Sequence, residues 1–289
     1  MSVFALKILA MLSMVCDHLG WWLSCEGLIS GPVYTAMRSF GRLAFPIFAF
    51  LIVNGCSRTK DRAGYITRLA LFALISQPAY VLVFTVVNYR GALGALSFDA
   101  PGTVQLLLCA ALGLIWFGFI RRNCSALIIA LAPFVGLCTL KLGDIYLLRP
   151  HMNVFYTLGF SLAAMCAMEM FAGRKSREKD SLAAAGALII ALLLIWSRSD
   201  YGLSGMLLML MLWYFRENRM QQYLMLPVWA AAHYIPGGNI VFFICAALAL
   251  LPISMYDGRL GKPLKTVFYL VYPLHLSVLG VLIIWQARL

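Results

Sequence analysis

The chain has 289 residues, of which 63% are hydrophobic and only 12% are charged. A soluble domain has about 45–50% apolar and about 25% charged residues, so this composition excludes a cytosolic enzyme, a disordered chain and a disulfide-rich secreted domain. The net charge of +12 does not indicate a nucleic-acid-binding protein, because the basic residues form short clusters between long apolar runs. We therefore predict an all-α, polytopic transmembrane helix bundle that forms a single domain over residues 1–289.

Long apolar runs predict about ten or eleven membrane-spanning segments. Each should be helical, because a backbone exposed to lipid must form its hydrogen bonds internally. The predicted spans are residues 4–24, 36–55, 65–88, 103–120, 124–142, 152–172, 182–197, 202–215, 222–235, 239–255 and 265–286. The short segment 222–235 has an alternative interpretation, a re-entrant hairpin with 239–255 around Pro236-Gly237-Gly238.

The basic residues predict the orientation of the bundle. They cluster in every second loop, whereas the alternate loops hold scattered arginines together with acidic residues. The basic clusters are Arg58, Lys60 and Arg62; Arg121 and Arg122; Arg174, Lys175, Arg177 and Lys179; Arg216 and Arg219; and Arg259 and Lys262. Because positively charged loops remain in the cytoplasm, we predict a cytoplasmic N-terminus and an external C-terminus.

The first span carries a lysine and a histidine on one face. Ionisable groups inside a span cost roughly 2.5–3.5 kcal/mol on insertion scales and are usually functional. Lys7 and His18 are eleven residues apart, which is about three turns and about 16 Å along a helix. This stripe suits an elongated anionic cofactor, with its phosphates beside Lys7 and its reacting end at His18. Alternatively, Lys7 extends to the inner interface and His18 is an interior histidine with a structural hydrogen bond.

Further polar groups lie within predicted spans. Asp17 points about 100° away from His18 on a helix, so we expect it to pair with another helix, and Arg42 is the natural partner. Such a pair is compatible with either a structural or a site role. His275 lies in the middle of the last span, two residues after Pro273, where a helix-packing contact and a functional role both remain open. The eight cysteines contain no CxxC pair, and no metal site is predicted.

Several sequence blocks resemble the TraX family, the F-pilin acetylases. The blocks are residues 6–8 (LKI), 16–20 (CDHLG), 41–50 (GRLAFPIFAF), 68–78 (RLALFALISQP), 200–205 (DYGLSG) and 272–275 (YPLH). They cover nearly the whole chain in order. The region 90–150 is longer than expected for that family and is interpreted as an inserted pair of spans. The Lys7-x10-His18 spacing also resembles the basic-x10-His motif of the membrane acyltransferase-3 families, in which the histidine is regarded as catalytic.

The resemblance implies an acetyl-CoA-dependent acetyltransferase in the bacterial cytoplasmic membrane. It implies that the acceptor is the N-terminal amine of a pilin or another membrane peptide. Because no serine or cysteine nucleophile stands beside a histidine in the sequence, direct transfer is favoured over an acyl-enzyme. An O-acetylase of a sugar or lipid and a membrane transporter are the alternatives. A transporter would use the same intramembrane polar groups as a path, but no inverted repeat is visible in the sequence. The oligomeric state is not predicted.

The resemblance and the polar stripe together predict the site residues. His18 is the predicted general base, because histidine is the side chain best suited to accept a proton near neutral pH. Asp17 and His275 are the other predicted catalytic residues. The predicted cofactor-binding residues are Lys7, Arg42, Arg58, Arg68, Gln77 and Asn54, and the predicted substrate-binding residues are Tyr272, Asp200 and Tyr201.

Overall fold

The computed structural model describes residues 1–84, 96–98, 140–142, 145–146, 151–172, 186–192, 194–195, 198–262 and 265–286. The predicted spans 103–120, most of 124–142 and part of 182–197 lie outside these residues. The described helices are α1 (Val3–Cys25), α2 (Gly31–Gly41), α3 (Ala44–Arg58), α4 (Arg62–Phe84), α5 (Val154–Ala172), α6 (Gly202–Tyr214), α7 (Arg219–Tyr234), α8 (Ile240–Ala247), α9 (Leu250–Ser254) and α10 (Lys265–Gln286). Residues 186–192 and 194–195 are helical as well.

Three short strands accompany the helices. They are β1 (Leu96–Phe98), β2 (Leu140–Leu142) and β3 (Ile145–Tyr146), which pair antiparallel in the order β1-β2-β3. The register places Leu96 opposite Leu142, and Leu142 opposite Ile145. The all-α class is confirmed, with this small sheet as an addition. The last three residues of the predicted span 124–142 lie in β2 rather than in a helix, and the sequence Gly143-Asp144 that follows is of the type that favours a hairpin.

Within the described residues, four helical segments are long and apolar enough to cross a membrane. They are Val3–Cys25, Gly31–Arg58, Arg62–Phe84 and Val267–Gln286. Shorter apolar helices are Val154–Cys166, Gly202–Tyr214 and Ile240–Ser254. A crossing takes about 20 residues, so these four segments are typical of a membrane protein. The predicted cytoplasmic N-terminus and external C-terminus stay predictions.

The second predicted span is interrupted, and this corrects the expectation of one helix over 36–55. Its first part begins at Gly31, because Pro32 occupies the first turn, where proline favours a helix start. The break follows at residues 42–43, where the N–H groups of Arg42 and Leu43 bond only three residues back, at 3.1 and 3.2 Å. Pro46 has no N–H, so the carbonyl of Arg42 cannot receive the bond that a continuous helix would give it. The break separates α2 from α3.

The chain divides into two compact units. The first unit comprises residues 1–57 and 207–285, and the second comprises 58–206 and 286–289. Each unit has its own buried polar groups. The predicted site residues are therefore distributed over both units, and the units are described separately below.

In the first unit, α1 and α10 run parallel and begin at the same end. The N–H of Val3 donates to the carbonyl of Arg259 at 2.8 Å, and that of Phe4 to the carbonyl of Leu260 at 3.2 Å. These contacts join the start of α1 to the loop that precedes α10. Further along, the rings of Phe4 and Phe268 are 5.9 Å apart. Side chains of α1 therefore reach side chains of α10 from this end onward.

The sequence Pro236-Gly237-Gly238 joins α7 and α8, two packed helices that form a helical hairpin. Gly238 has a φ of +71°, a conformation in which glycine is favoured. The N–H of Asn239 then bonds back to the carbonyl of Tyr234 at 3.1 Å and closes the turn. Whether this hairpin enters and leaves on one side of a membrane stays a prediction.

In the second unit, buried polar side chains join α4 to the start of α5. Gln77 and Asn153 are both fully buried. The amide of Gln77 donates to the carbonyl of His151 at 2.7 Å, and its oxygen accepts from the N–H of Asn153 at 2.9 Å. Asn153 in turn donates to the carbonyl of Ala73 at 2.7 Å. Because buried amides must be satisfied, this network fixes the beginning of α5 against α4.

Candidate functional site

Two histidines meet inside the first unit. His18 is on α1 and His275 is on α10, and Nδ1 of His18 lies 2.7 Å from Nε2 of His275. The two rings are inclined by only 14°, and their centroids are 4.9 Å apart. Since the nitrogens are closer than the centroids, the rings meet edge to edge through these two atoms. The contact is a hydrogen bond between imidazoles rather than a face-to-face stack.

The outer partner of this pair decides where the protons lie. Nδ1 of His275 is 2.7 Å from the carbonyl oxygen of Val271. A carbonyl oxygen can only accept, so Nδ1 of His275 carries a proton. In a neutral His275 the other nitrogen, Nε2, is then the acceptor, and Nδ1 of His18 must donate to it. The lone pair of a neutral His18 is therefore on its Nε2.

Asp17 binds two arginines, Arg38 within α2 and Arg42 at the C-terminal end of α2. Its Oδ2 accepts from Nη1 of Arg38 at 2.7 Å, and its Oδ1 accepts from Nη2 of Arg42. The predicted pairing of Asp17 with Arg42 is confirmed. The second arginine was not predicted, although its spacing of four residues from Arg42 puts both on one face of a helix and could have revealed it. We call Asp17, Arg38 and Arg42 the ion cluster.

Close packing of α1 against α2 brings the ion cluster together. A Cβ atom added to Gly41 would lie only 2.3 Å from the Cβ of Asp17. One added to Gly20 would lie 2.8 Å from the Cβ of Met37. Glycine is needed at both positions because the helices approach too closely for a larger residue. The hydroxyl of Ser13 also donates to the carbonyl of Phe40 at 2.7 Å and ties the two helices together.

The ion cluster carries one excess positive charge in a desolvated setting. The side chain of Asp17 is only 10% exposed, and those of Arg38 and Arg42 are 18% and 12% exposed. One carboxylate thus balances only one of two guanidinium groups. Arg38 lies over the ring of Trp21 at 5.5 Å, and Arg42 over the ring of Phe242 at 5.3 Å. Cation–π contacts of this kind offset part of the cost of burying the cations.

Lys7 and Tyr272 lie on the same two helices as the histidine pair, Lys7 on α1 and Tyr272 on α10. Nζ of Lys7 lies 4.6 Å from the centroid of the Phe268 ring on α10. Tyr272, one turn after Phe268, is buried, and its ring centroid is 6.0 Å from that of His18. Both Lys7 and His18 therefore contact α10. This arrangement is what a stripe with Lys7 at its start and His18 three turns later would produce.

The other predicted site residue of the first unit has a local partner. Asn54 on α3 donates to the carbonyl of Phe50 in its own helix at 2.9 Å. His233 on α7 stacks on Trp229, with ring centroids 5.3 Å apart. The role of Asn54 in cofactor binding stays a prediction.

Five predicted site residues belong to the second unit. Gln77 forms the amide network described above. Arg68 is half exposed and lies 4.0 Å from Asp61. The N–H of Asp200 donates to the carbonyl of Met152 at 2.8 Å, and Tyr201 adopts a left-handed φ of +60°. The fifth is Arg58, the last residue of α3. Their predicted roles in cofactor or substrate binding stay predictions.

Comparisons with known proteins agree with the resemblance seen in the sequence blocks. The family profile described as TraX protein matches the chain in two segments, residues 2–140 and 125–283. The "Probable fimbrial assembly protein FimC, serogroup H1" of Dichelobacter nodosus is 33% identical over 79 residues, which are 27% of this chain and 31% of that protein. The chain thus matches less than a third of that relative's length. No solved structure matches the chain.

Proposed function

The chain belongs to the TraX family, and we propose that it is an integral-membrane acetyltransferase. It transfers an acetyl group from cytoplasmic acetyl-CoA to an acceptor reached from the outer side of the bacterial inner membrane. The acceptor is the N-terminal amine of a pilin or similar membrane peptide. The relative named as a probable fimbrial assembly protein supports a peptide acceptor of this class. The observation that carries the proposal is the bonded pair of buried histidines on α1 and α10.

The hydrogen bonds of this pair support a separate role for each ring. Nε2 of His18 accepts the proton of the attacking amine as the nitrogen bonds to the thioester carbonyl carbon. The C–S bond then breaks, and the departing CoA thiolate takes that proton from His18. His275 acts as a positioning residue, because its Nε2 holds Nδ1–H of His18 and its own Nδ1–H is held by Val271. The arrangement follows the logic of catalytic triads, in which a third group fixes the tautomer of the base.

The parallel run of α1 and α10 supports the path of the cofactor. Lys7 lies on the same face of α1 as His18, about three turns and about 16 Å away along the helix axis. A CoA molecule whose phosphates lie beside Lys7 would extend its thioester toward His18. The loop that carries Arg259 and Lys262 is at the N-terminal end of α1, as the contacts with Val3 and Phe4 require. These cations would add to the positive charge at the cofactor's entry.

The proposal is tested with purified protein in lipid nanodiscs. The protein is given a synthetic peptide and acetyl-CoA that is labelled in its acetyl group. We expect label on the peptide's N-terminal nitrogen, located by fragment masses. A control peptide with a blocked N-terminus should remain unlabelled. Label on a hydroxyl of an added glycan or lipid would favour an O-acetylase instead. If the folded protein labels none of these acceptors, the proposed transferase activity is wrong.

Removing the charge of Lys7 should weaken cofactor binding. A charge-assisted contact contributes about 1.5–3 kcal/mol, so Lys7→Met should raise the Kd for acetyl-CoA by about tenfold or more. Lys7→Arg should largely retain binding, because the charge rather than the shape matters. Equilibrium binding of labelled acetyl-CoA measures both variants. Equal affinity of the Lys7→Met and unsubstituted proteins would show that Lys7 only packs on Phe268.

Replacing His275 separates positioning from packing. Leucine fills similar space but cannot accept the proton of His18 Nδ1, so His275→Leu should lower kcat by about 10²-fold. The amide oxygen of His275→Gln reaches the place of Nε2 and should restore kcat to within about tenfold of the unsubstituted enzyme. Initial rates at saturating acetyl-CoA give both values. Equal losses for the two variants would mean that the hydrogen bond does not matter and that His275 serves another purpose.

A further inference from the structure

The ion cluster contains a buried donor without an acceptor. Within the described part of the chain, Nε of Arg38 is buried and has no hydrogen-bond partner. Nη1 of the same side chain is engaged by Asp17 at 2.7 Å. A buried N–H without an acceptor costs about 1–3 kcal/mol, so native structures rarely retain one unless it has a role.

The charges of the cluster point to the kind of atom that Nε would bind. Both oxygens of Asp17 are already occupied, one by each arginine. The cluster is therefore left with one excess positive charge that no carboxylate of the cluster balances. Burial strengthens the attraction of this charge for an anion, because little water remains to screen it. An anionic oxygen is the partner that satisfies both the excess charge and the donor.

The two arginines are used differently, and this singles out Arg38. Nε of Arg42 donates to the carbonyl of Arg38 at 3.0 Å, so that its side chain is folded back along α2. Nε of Arg38, in contrast, has no such acceptor within the described residues. Arg38 is also held by Asp17, the residue that precedes His18 on α1. The donor thus belongs to a side chain anchored at the residue next to the proposed base.

We propose that Nε–H of Arg38 binds the oxyanion that forms when the thioester carbonyl is attacked. This inference rests on the proposed acetyl transfer. As the amine nitrogen bonds to the carbonyl carbon, the π-electron pair of the carbonyl moves onto its oxygen, and His18 takes the amine proton. When the carbonyl re-forms, the C–S bond breaks and its electron pair leaves with the CoA sulfur, which takes the proton from His18. Arg38 contributes most in the tetrahedral state, where its excess charge meets a full negative charge.

Arg38→Met removes the donor, and the remaining Asp17–Arg42 pair is neutral, so the protein should fold. Loss of one oxyanion donor lowers kcat by about 10²–10³-fold, and we expect that loss here. The Kd for ethyl-CoA, a thioether without the carbonyl, should change by less than about threefold because Arg38 acts mainly after attack.

Two further variants serve as comparisons. Arg38→Lys keeps the charge beside Asp17 but lacks the guanidinium Nε–H, and its kcat should fall by at least about tenfold. Arg219→Met, at an exposed arginine at the start of α7, is the matched control and should be fully active.

A second acyl donor distinguishes an oxyanion contact from a structural one. In fluoroacetyl-CoA the fluorine withdraws electrons and stabilises the oxyanion without help from the protein. The loss of kcat in Arg38→Met should therefore be smaller with fluoroacetyl-CoA than with acetyl-CoA. Equal losses with both donors, or a kcat for Arg38→Met within about threefold of the unsubstituted enzyme, would overturn the oxyanion role alone. An inactive unsubstituted enzyme would overturn the transferase function and this inference with it.

Discussion

His18→Ala and His18→Asn are expected to lose nearly all acetyl transfer while they still bind acetyl-CoA. Removal of a general base lowers kcat by about 10²–10⁴-fold. The asparagine variant is the sharper of the two, because its side-chain NH₂ can still donate to Nε2 of His275. It has no lone pair in the place of His18 Nε2 and cannot take the amine proton. Single-turnover rates are measured with acetyl-CoA that is labelled in its acetyl group, together with the Kd for acetyl-CoA. A lower rate with an unchanged Kd shows that the transfer step is lost and that the binding site is intact.

The control for this experiment is an exposed histidine outside the bonded pair. His151 is exposed, and its described hydrogen bond is made by its backbone carbonyl, which a substitution keeps. His151→Asn should therefore retain kcat within about twofold, as an exposed substitution does. If His18→Asn acetylates the peptide as fast as His151→Asn, His18 is not the base.

Asp17→Asn should strongly destabilise the first unit. It would leave the guanidinium groups of Arg38 and Arg42 side by side, with no carboxylate between them. Removing one partner of a buried ion pair costs about 3–5 kcal/mol, because the remaining charge stays buried and uncompensated. We expect the midpoint of unfolding in a graded denaturing-detergent titration to fall accordingly. Glu217→Gln, at an exposed acidic residue, is the matched control and should change the free energy of unfolding by less than about 0.5 kcal/mol.

A second substitution should repair part of this loss. In Asp17→Asn combined with Arg38→Met, only one buried cation remains, so the repulsion between the two guanidinium groups disappears. The double variant should be more stable than Asp17→Asn alone, with a coupling free energy of about 0.5–3 kcal/mol. Additive effects would show that the three charges do not interact. The ion cluster would then be a packing feature without electrostatic consequence.

The sequence predicted the polar stripe of the first helix because helical periodicity is local. The eleven-residue spacing of Lys7 and His18 places both on one face whatever surrounds the helix. The return of the next helix from the same loop likewise predicted that Asp17 would meet Arg42. The bond between His18 and His275 was not predictable in this way. It joins residues 257 positions apart, and it depends on which helices lie side by side.

Other features required the packed structure. The break at residues 42–43 depends on one missing N–H at Pro46, whose effect is hidden inside a continuous apolar run. Arg38 was not among the predicted site residues, although it lies within the predicted span 36–55. Gln77 was expected at the cofactor, yet its amide is engaged by His151 and Asn153. Hydrophobic pattern predicts that a polar residue is buried, but not which buried partner satisfies it.

The most direct test of the account is the sidedness of the transfer. Sealed inverted membrane vesicles have their cytoplasmic face outward, so acetyl-labelled CoA can be added outside while an acceptor peptide is enclosed within. The account predicts label on the N-terminal nitrogen of the enclosed peptide, with CoA remaining outside, and no label in vesicles that carry His18→Asn. Label that appears only when CoA and peptide share one side, or that persists without His18, would contradict transfer through the histidine pair.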